Sequence, residues 1–151
     1  MAKPLVFVLN GPNMNLLGVR EPHLYGHQTL ADCERMCREE ADLLGMEIDF
    51  RQTNHEGVLV DWVQESYQKA LGIVINPGAY ARTSLALHTA VRSVGTPTIE
   101  VHITNIYNKE SYRPPSYLSH VARAIICGAG LEGYCLGLQT LHRLYMKTTP
   151  A

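Results

Sequence analysis

The sequence predicts an α/β protein in which helices cover both faces of a parallel β-sheet. Along the 151 residues, stretches rich in apolar and β-branched residues alternate with segments whose apolar positions recur every three or four residues. Several of the β-rich stretches end in Asn, Gly or Pro, which favour turns. With 46% hydrophobic and 18% charged residues, the chain can build one core, so we expect a single catalytic domain over residues 1–151.

The first strand and the first long helix have the clearest signals. Leu5–Leu9 is apolar throughout and ends at Asn10-Gly-Pro-Asn13, as expected for a strand buried on both faces. Thr29 and Asp32 have the spacing of a capping box, and Gly45 is a typical helix stop. The inward stripe of this helix is Leu30, Cys33, Cys37, Ala41 and Leu44.

The middle of the chain repeats the same alternation. Residues 48–52 alternate as a partly exposed second strand, and residues 58–70 have helical spacing. The inward positions expected there are Leu59, Val63 and Tyr67. A third strand at 73–75 ends at Asn76-Pro-Gly78, and residues 84–93 follow as a helix.

The last third adds two more strands and a final helix. The fourth strand covers 98–103, the fifth 124–127, and an apolar stripe from 131 to 145 marks the helix. Five such units joined by right-handed crossovers match the flavodoxin-like strand order 2-1-3-4-5.

Composition argues against several classes of partner and compartment. A net charge of -1 lacks the broad positive field of nucleic-acid-binding proteins. The apolar runs are far shorter than the roughly 20 residues of a membrane helix, and no leader-like segment is visible at the start, so we expect a cytoplasmic protein. In that compartment Cys33, Cys37, Cys127 and Cys135 should be reduced thiols, with Cys33 and Cys37 packed in the core.

Three polar clusters lie at the carboxyl ends of strands one, three and four. They are Asn10–Asn13, Asn76–Gly78 and Glu100–Asn105. In open parallel sheets the site lies beyond the carboxyl ends of the strands, beside the switch point of the strand order. We therefore expect these clusters, which are distant in sequence, to meet at one crevice.

The long connection over about residues 14–28 is a candidate lid. Loops of this length in compact domains are usually functional or disordered, and its two glycines could act as hinges. If Arg20 lies beside Tyr25, the guanidinium would stabilise the phenolate and make the tyrosine usable as a base. An alternative interpretation is a solvated arginine and a tyrosine that only plugs the fold.

Glu100 and His102 are two residues apart on the fourth strand, so their side chains share a face. A carboxylate beside an imidazole orients the ring and favours a proton donor near neutral pH. A core histidine satisfied by its neighbour is the alternative. The other histidines show no metal-ligand spacing, and the chain lacks a dinucleotide fingerprint, a phosphate loop and a nucleophile elbow, so no metal or cofactor is expected.

Five segments resemble those of type II 3-dehydroquinate dehydratases in order and spacing. The segments are Asn10–Gly26, Gln52–Gly57, Ile75–Tyr80 with Thr83-Ser84, Ile99–Asn105 and Gly128–Leu138. The resemblance spans most of the chain. It implies a flavodoxin-like homo-oligomer, a dodecamer built of trimers, that converts 3-dehydroquinate to 3-dehydroshikimate by anti elimination through an enolate, without metal or Schiff base.

The resemblance also implies roles for individual residues. Tyr25 would remove the C2 proton with help from Arg20, and Asn13 with a water would hold the enolate oxygen. His102, oriented by Glu100, would protonate the departing C1 hydroxyl.

Other side chains would bind the substrate. Asn76, the Ile103 amide and Thr104 would hold the substrate carboxylate, and Arg113 would contact ring hydroxyls.

The sequence departs from the family pattern in the binding shell. Arg82 replaces a histidine that usually contacts a ring hydroxyl, and Thr89 replaces an aspartate that usually reaches toward an adjoining subunit's site. In the segment after strand four, Tyr107, Lys109 and Pro114-Pro115 also differ from the usual residues.

Three interpretations of function stay open at this point. The first is a dehydroquinase, in biosynthesis or in quinate catabolism, with rebuilt distal contacts. The second is a paralogue acting on a related cyclic hydroxy acid, whose extra anionic group could pair with Arg82. The third is a binding protein that retains the fold without turnover.

Overall fold

The computed structural model describes residues 2–108 and 114–148, which form a five-stranded parallel sheet of order β2-β1-β3-β4-β5. The predicted strand order is therefore confirmed. The strands are β1 (Leu5–Asn10), β2 (Glu47–Gln52), β3 (Gly72–Asn76), β4 (Thr98–His102) and β5 (Ala124–Cys127).

In the described residues, four long α-helices and two single-turn α-helices surround the sheet, together with short 3-10 turns at Met14–Leu16 and Leu118–His120. The α-helices are α1 (Pro22–Tyr25), α2 (Leu30–Leu44), α3 (Glu56–Glu65), α4 (Tyr80–Thr83), α5 (Leu85–Val94) and α6 (Glu132–Thr148). Within the described parts of the chain, none of these helices is long and apolar enough to cross a bilayer.

Alternate residues of β1 point into two separate cores. Val6 and Val8 pack with α2 and α6 on one face, whereas Phe7 and Leu9 pack with α3 and α5 on the other. All four side chains are fully buried. This two-sided burial explains why β1 is apolar at almost every position and why the strand could be recognised from sequence.

The start and end of α2 match the sequence signals. The Thr29 hydroxyl accepts a hydrogen bond from the Asp32 amide, and the Asp32 carboxylate accepts one from the Thr29 amide. Gly45 ends the helix in the left-handed conformation, with φ of 70°. Cys33 and Cys37 are fully buried in the core, as predicted.

The predicted helix over residues 58–70 is wrong at both ends. Helix α3 begins at Glu56 and ends at Glu65, and Tyr67, expected to face inward, is 57% exposed. The Ser66 hydroxyl, fully buried, donates to the Val63 carbonyl and also bonds the Thr96 hydroxyl, while Gln68 adopts a left-handed φ of 56°. These local hydrogen bonds end the helix at Glu65, although apolar residues continue at helical spacing as far as Tyr67.

Candidate active site

The three strand-end clusters meet at one cavity of about 320 Å3. Its position beyond the carboxyl ends of the parallel strands agrees with the expected location. Eight of the residues predicted for the site line it: Asn13, Arg20, Tyr25, Asn76, Arg82, His102, Ile103 and Thr104. A cavity of this size fits a small-molecule ligand.

A buried tyrosine joins two of the strand ends beneath the cavity. The Tyr134 hydroxyl on α6 donates to Asn10 Oδ1 at 2.7 Å and accepts from Asn76 Nδ2 at 3.0 Å. Asn76 Oδ1 accepts the Gly78 amide at 3.2 Å, and Asn76 Nδ2 also lies 3.5 Å from the Met14 sulfur. Burial raises the pKa of Tyr134, so its hydroxyl stays protonated and fixes the Asn76 amide.

Asn13 is held at the rim by its backbone. It adopts a left-handed conformation with φ of 69°, a region that asparagine tolerates better than most residues. Its amide donates to Asn54 Oδ1 at 3.0 Å, and the Tyr80 hydroxyl donates to the Asn54 carbonyl at 2.6 Å. These bonds fix the backbone of Asn13, whose side chain is exposed.

His102 and Glu100 form a buried pair at the end of β4. Nε2 of His102 lies 2.5 Å from Glu100 Oε2, and both residues are buried, Glu100 completely. Two serine hydroxyls also donate to the carboxylate: Ser116 to Oε2 and Ser119 to Oε1, each at 2.8 Å. Because a carboxylate only accepts, Nε2 carries the proton of this bond and Nδ1 is the other ring nitrogen.

Hydrogen bonding keeps Glu100 ionised despite its burial. Burial alone would raise the pKa of this carboxyl group, but hydrogen bonds from His102, Ser119 and Ser116 hold the pKa below its ordinary value. The negative carboxylate accepts the hydrogen bond from Nε2 of His102 and fixes the orientation of the ring.

Arg20 and Tyr25 lie together in the connection between β1 and α2. The Arg20 guanidinium carbon is 4.8 Å from the centroid of the Tyr25 ring, over the ring itself. Arg20 Nε also lies 3.7 Å from a carboxylate oxygen of Glu21. The structure therefore places these two side chains together, and both line the cavity that His102 lines.

Arg82 lies at the cavity but is engaged with the backbone. Its two terminal nitrogens donate to the carbonyls of Ile106, at 2.6 Å, and Pro114, at 3.0 Å. Thr89, a candidate substrate-binding residue by its place in the family pattern, is exposed on α5 and does not line this cavity, so that assignment stays a prediction. Arg113 and Lys109 lie outside the described residues.

The sequence interpretation missed Ser116, Ser119, Tyr134 and Asn54. Ser116 is 16 residues from Glu100, and Tyr134 is 124 residues from Asn10. No spacing within one element marks such contacts, because they arise only when separate segments are packed together. The polar tract before the fifth strand was the sole hint that its serines could face a strand end.

Comparisons with known proteins agree with this geometry. A family model described as dehydroquinase class II matches residues 4–142. The chain is 52% identical over 143 residues to a 3-dehydroquinate dehydratase of Rhizobium meliloti, covering 95% of this chain and 97% of that protein. This chain belongs to the class II dehydroquinase family. A 3-dehydroquinate dehydratase of Brucella canis is 54% identical over 136 residues, which cover 90% of this dehydroquinase and 87% of that protein.

Solved structures show the same fold as this class II dehydroquinase. A type II dehydroquinase from Butyrivibrio crossotus superposes with a TM-score of 0.89 at 39% identity, covering 92% of this chain and 97% of that one. A 3-dehydroquinate dehydratase-like protein from Bifidobacterium longum gives a TM-score of 0.72 at 30% identity, covering 95% of this chain and 98% of that one. The flavodoxin-like class predicted from the alternation of elements is thus confirmed.

Proposed function

We propose that this chain dehydrates 3-dehydroquinate to 3-dehydroshikimate by anti elimination, with Tyr25 as base and His102 as acid in the cavity described above. Membership of the class II dehydroquinase family makes the chain a 3-dehydroquinate dehydratase, a hydro-lyase. The observation that carries the residue assignment is that the Arg20–Tyr25 pair and His102, which is bonded to Glu100 behind it, come from distant segments and line one cavity.

In the first step, the Tyr25 phenolate removes a proton from C2 of the substrate, and the electrons of the C–H bond form an enolate. The Arg20 guanidinium, 4.8 Å from the ring centroid, stabilises the phenolate before the transfer. Asn13 at the rim, together with a water, holds the developing enolate oxygen. Donors aimed at that oxygen stabilise the charge that develops in the transition state.

In the second step, the enolate expels the C1 hydroxyl as His102 protonates it. One imidazolium proton goes to the leaving oxygen, water departs, and the new double bond is conjugated with the ketone. Glu100 supports this step because its carboxylate stabilises the imidazolium and fixes the ring orientation. Exchange of protons with solvent returns Tyr25 to the phenolate and His102 to the imidazolium.

The end of β3 and the start of the segment after β4 supply the carboxylate site. Asn76, the Ile103 amide and Thr104 line the same cavity. We assign them to the substrate carboxylate, with Asn76 using the hydrogen that points to the Met14 sulfur. Arg113, assigned by resemblance to the ring hydroxyls, lies outside the described residues.

Two of the five N–H groups of Arg82 hold the guanidinium at the cavity. Both terminal nitrogens donate to backbone carbonyls. The guanidinium has three further N–H groups, and we assign these to a ring hydroxyl of 3-dehydroquinate, the contact that the family pattern gives to a histidine at this position.

We also propose that residues 14–28 close over the bound substrate as a lid and that the chain assembles into a dodecamer of trimers. Lid closure is supported by left-handed glycines on both sides of the Arg20–Tyr25 pair, Gly18 and Gly26, with φ of 91° and 78°. Analytical ultracentrifugation tests the assembly: one species of about twelve times the 16.8 kDa chain mass is expected, and a monomer would refute it.

The activity is tested by adding 3-dehydroquinate to the purified protein. The conjugated enone of the product absorbs in the ultraviolet, so the absorbance should rise with enzyme-dependent kinetics. The absence of any rise at high enzyme concentration would reject the proposed substrate and leave the related cyclic hydroxy acids as the next class to test.

A further inference from the structure

We propose that Ser116 and Ser119 are positioning residues that hold the Glu100 carboxylate in place and, through it, set the orientation and proton affinity of His102. The proposal rests on the proposed function, because it assigns the two serines to the acid half of that reaction. Neither residue lines the cavity, so they act through Glu100 and not on the substrate.

The contacts divide the carboxylate between three donors. Oε2 accepts from His102 Nε2 and from the Ser116 hydroxyl, and Oε1 accepts from the Ser119 hydroxyl. Glu100 has no exposure, so solvent does not compete with these donors. With both oxygens bonded, the carboxylate plane is fixed, and so is the direction from which Glu100 Oε2 accepts the imidazole proton.

The orientation of the Ser116 hydroxyl is itself fixed. Its oxygen accepts a hydrogen bond from the Ser119 amide at 3.2 Å while donating to Glu100. The Ser119 amide therefore occupies one lone pair of the Ser116 oxygen, and the Ser116 hydroxyl proton points toward the Glu100 carboxylate. The two serines are coupled, since the backbone of Ser119 positions Ser116 and its side chain binds the same acceptor.

The segment that carries the serines is anchored to the opposite side of the cavity. The Tyr117 amide donates to the Ala81 carbonyl on α4 at 2.7 Å, and Arg82 donates to the Pro114 carbonyl. Leu118, between the two serines, is buried in the core with Leu87. These contacts fix the positions of the Ser116 and Ser119 hydroxyls beside Glu100.

The chemical consequence follows from the charge on the carboxylate. Each hydroxyl donor disperses negative charge that would otherwise act on the imidazolium. Removing a donor should leave His102 protonated to higher pH and loosen the ring orientation. Among the residues that the structure describes, the titratable and charged groups around the pair are Cys127 in register on β5, Arg82 on α4, Arg20 and Tyr25 across the cavity, and Tyr107, whose hydroxyl is 3.4 Å from the Ser119 hydroxyl.

The test compares Ser116→Ala, Ser119→Ala and Ser119→Thr with wild type and with Ser66→Ala. Ser66 is a matched control because its buried hydroxyl also makes two hydrogen bonds, to Val63 and Thr96, outside the site. For either site alanine we expect kcat to fall about tenfold with KM nearly unchanged, since a general acid contributes roughly 10²- to 10⁴-fold in all. Ser119→Thr should restore most of the rate.

The second readout is independent of turnover. The basic limb of the kcat profile and the NMR titration of the His102 ring should both move to higher pH by about half a unit, because one hydrogen bond to a charged group is worth roughly that much or more. Ser66→Ala should shift neither. If Ser116→Ala does not fold, the same measurements on Ser119→Ala and Ser119→Thr test the proposal, because Ser119 is only half-buried.

Unshifted His102 titration in the site alanines, with kcat losses no greater than that of Ser66→Ala, would overturn the positioning role. A shifted titration in a protein that does not turn over 3-dehydroquinate would instead reject the proposed function and keep the role of the serines. Loss of rate without any shift, unrescued by Ser119→Thr, would mean a merely structural contribution and would also overturn the proposal.

Discussion

The two sides of the cavity are built in opposite ways. The acid wall, which we define as Glu100, His102, Ser116 and Ser119, is mostly buried and is cross-linked by side-chain hydrogen bonds. The base wall, defined as Arg20 and Tyr25 in the connection 14–28, is half-buried. The backbone bonds around Arg20 and Tyr25 run mainly to residues three or four positions away, within the connection itself.

This difference matches what each half of the reaction requires. The proton donor must keep its charge and its direction until the enolate has formed, which favours a dry and fully bonded site. The base must admit the substrate and then close on it, which favours a locally stabilised segment that can move without unfolding the sheet. If the proposed mechanism is correct, the reaction combines a rigid acid with a mobile base in one cavity.

The sharpest test of the base wall is Tyr25→Phe. Removing the phenolate should abolish proton exchange at C2 and lower kcat by about 10³-fold, since a general base contributes roughly 10²- to 10⁴-fold. Substrate binding, measured by calorimetry, should stay largely intact because the ring is retained. The exchange reaction is followed by NMR in deuterated water.

Fully active Tyr25→Phe enzyme would remove Tyr25 from the role of base. Arg20→Lys is the matched control on the same wall: it keeps a cation but loses the planar group that covers the ring, so an intermediate loss is expected.

The acid wall should fail differently. His102→Asn should lower overall turnover by about 10²-fold while C2 proton exchange persists, because the enolate still forms but its hydroxyl no longer leaves with a proton. The same two measurements, exchange and enone absorbance, separate the two walls. If His102→Asn lost exchange as completely as Tyr25→Phe, the assignment of one step to each wall would be wrong.

The sequence predicted the parts of each wall that lie close together along the chain. The Glu100–His102 pair follows from the two-residue period of a strand, and the strand-end location follows from the parallel topology. Arg20 and Tyr25 share one connection, so their proximity was a local inference. Ser116, Ser119 and Tyr134 reach the site only through tertiary packing, which no local period encodes. The same limit explains the error at Tyr67, where the buried hydroxyl of Ser66 overrides helical spacing.

Arg82 is one of the residues that tie the segment carrying Ser116 to the cavity, so Arg82→His tests whether the rigidity of the acid wall matters for substrate choice. A histidine cannot bridge the Ile106 and Pro114 carbonyls as the guanidinium does, so we expect kcat/KM for 3-dehydroquinate to fall about tenfold, the cost of roughly one net hydrogen bond to a charged donor.

Arg82→Lys is the control, because it keeps the charge without the two-pronged geometry. Equal losses in both variants would assign the effect to bridging of the two carbonyls. A sharp rise in activity for Arg82→His would show that the natural cavity is adapted to a different cyclic hydroxy acid.

The smallest expected effect concerns stability in acid and compares Glu100 with a carboxylate far from the cavity. Hydrogen bonds from His102, Ser119 and Ser116 outweigh burial and hold the pKa of Glu100 below its ordinary value of 4.5. Its contribution to the free energy of unfolding is therefore fully present above about pH 4.5 and is lost as the pH falls through the folded-state pKa. Between pH 6 and pH 3, the free energy of unfolding measured by chemical denaturation should change less with pH for Glu100→Gln than for wild type.

Glu65 is the comparison residue. Its pKa is also lowered, but its carboxylate is exposed, whereas that of Glu100 is buried. Arg51 and Lys69 lower the pKa of Glu65 to about 2, yet its side chain is 38% exposed. Salt screens exposed charges much more than buried ones. We therefore expect 0.5 M salt to remove most of the difference in the free energy of unfolding between Glu65→Gln and wild type. The difference between Glu100→Gln and wild type should persist in salt. Equal salt sensitivity of the two variants would mean that water reaches the acid wall, and the rigid, dry donor site inferred here would have to be given up.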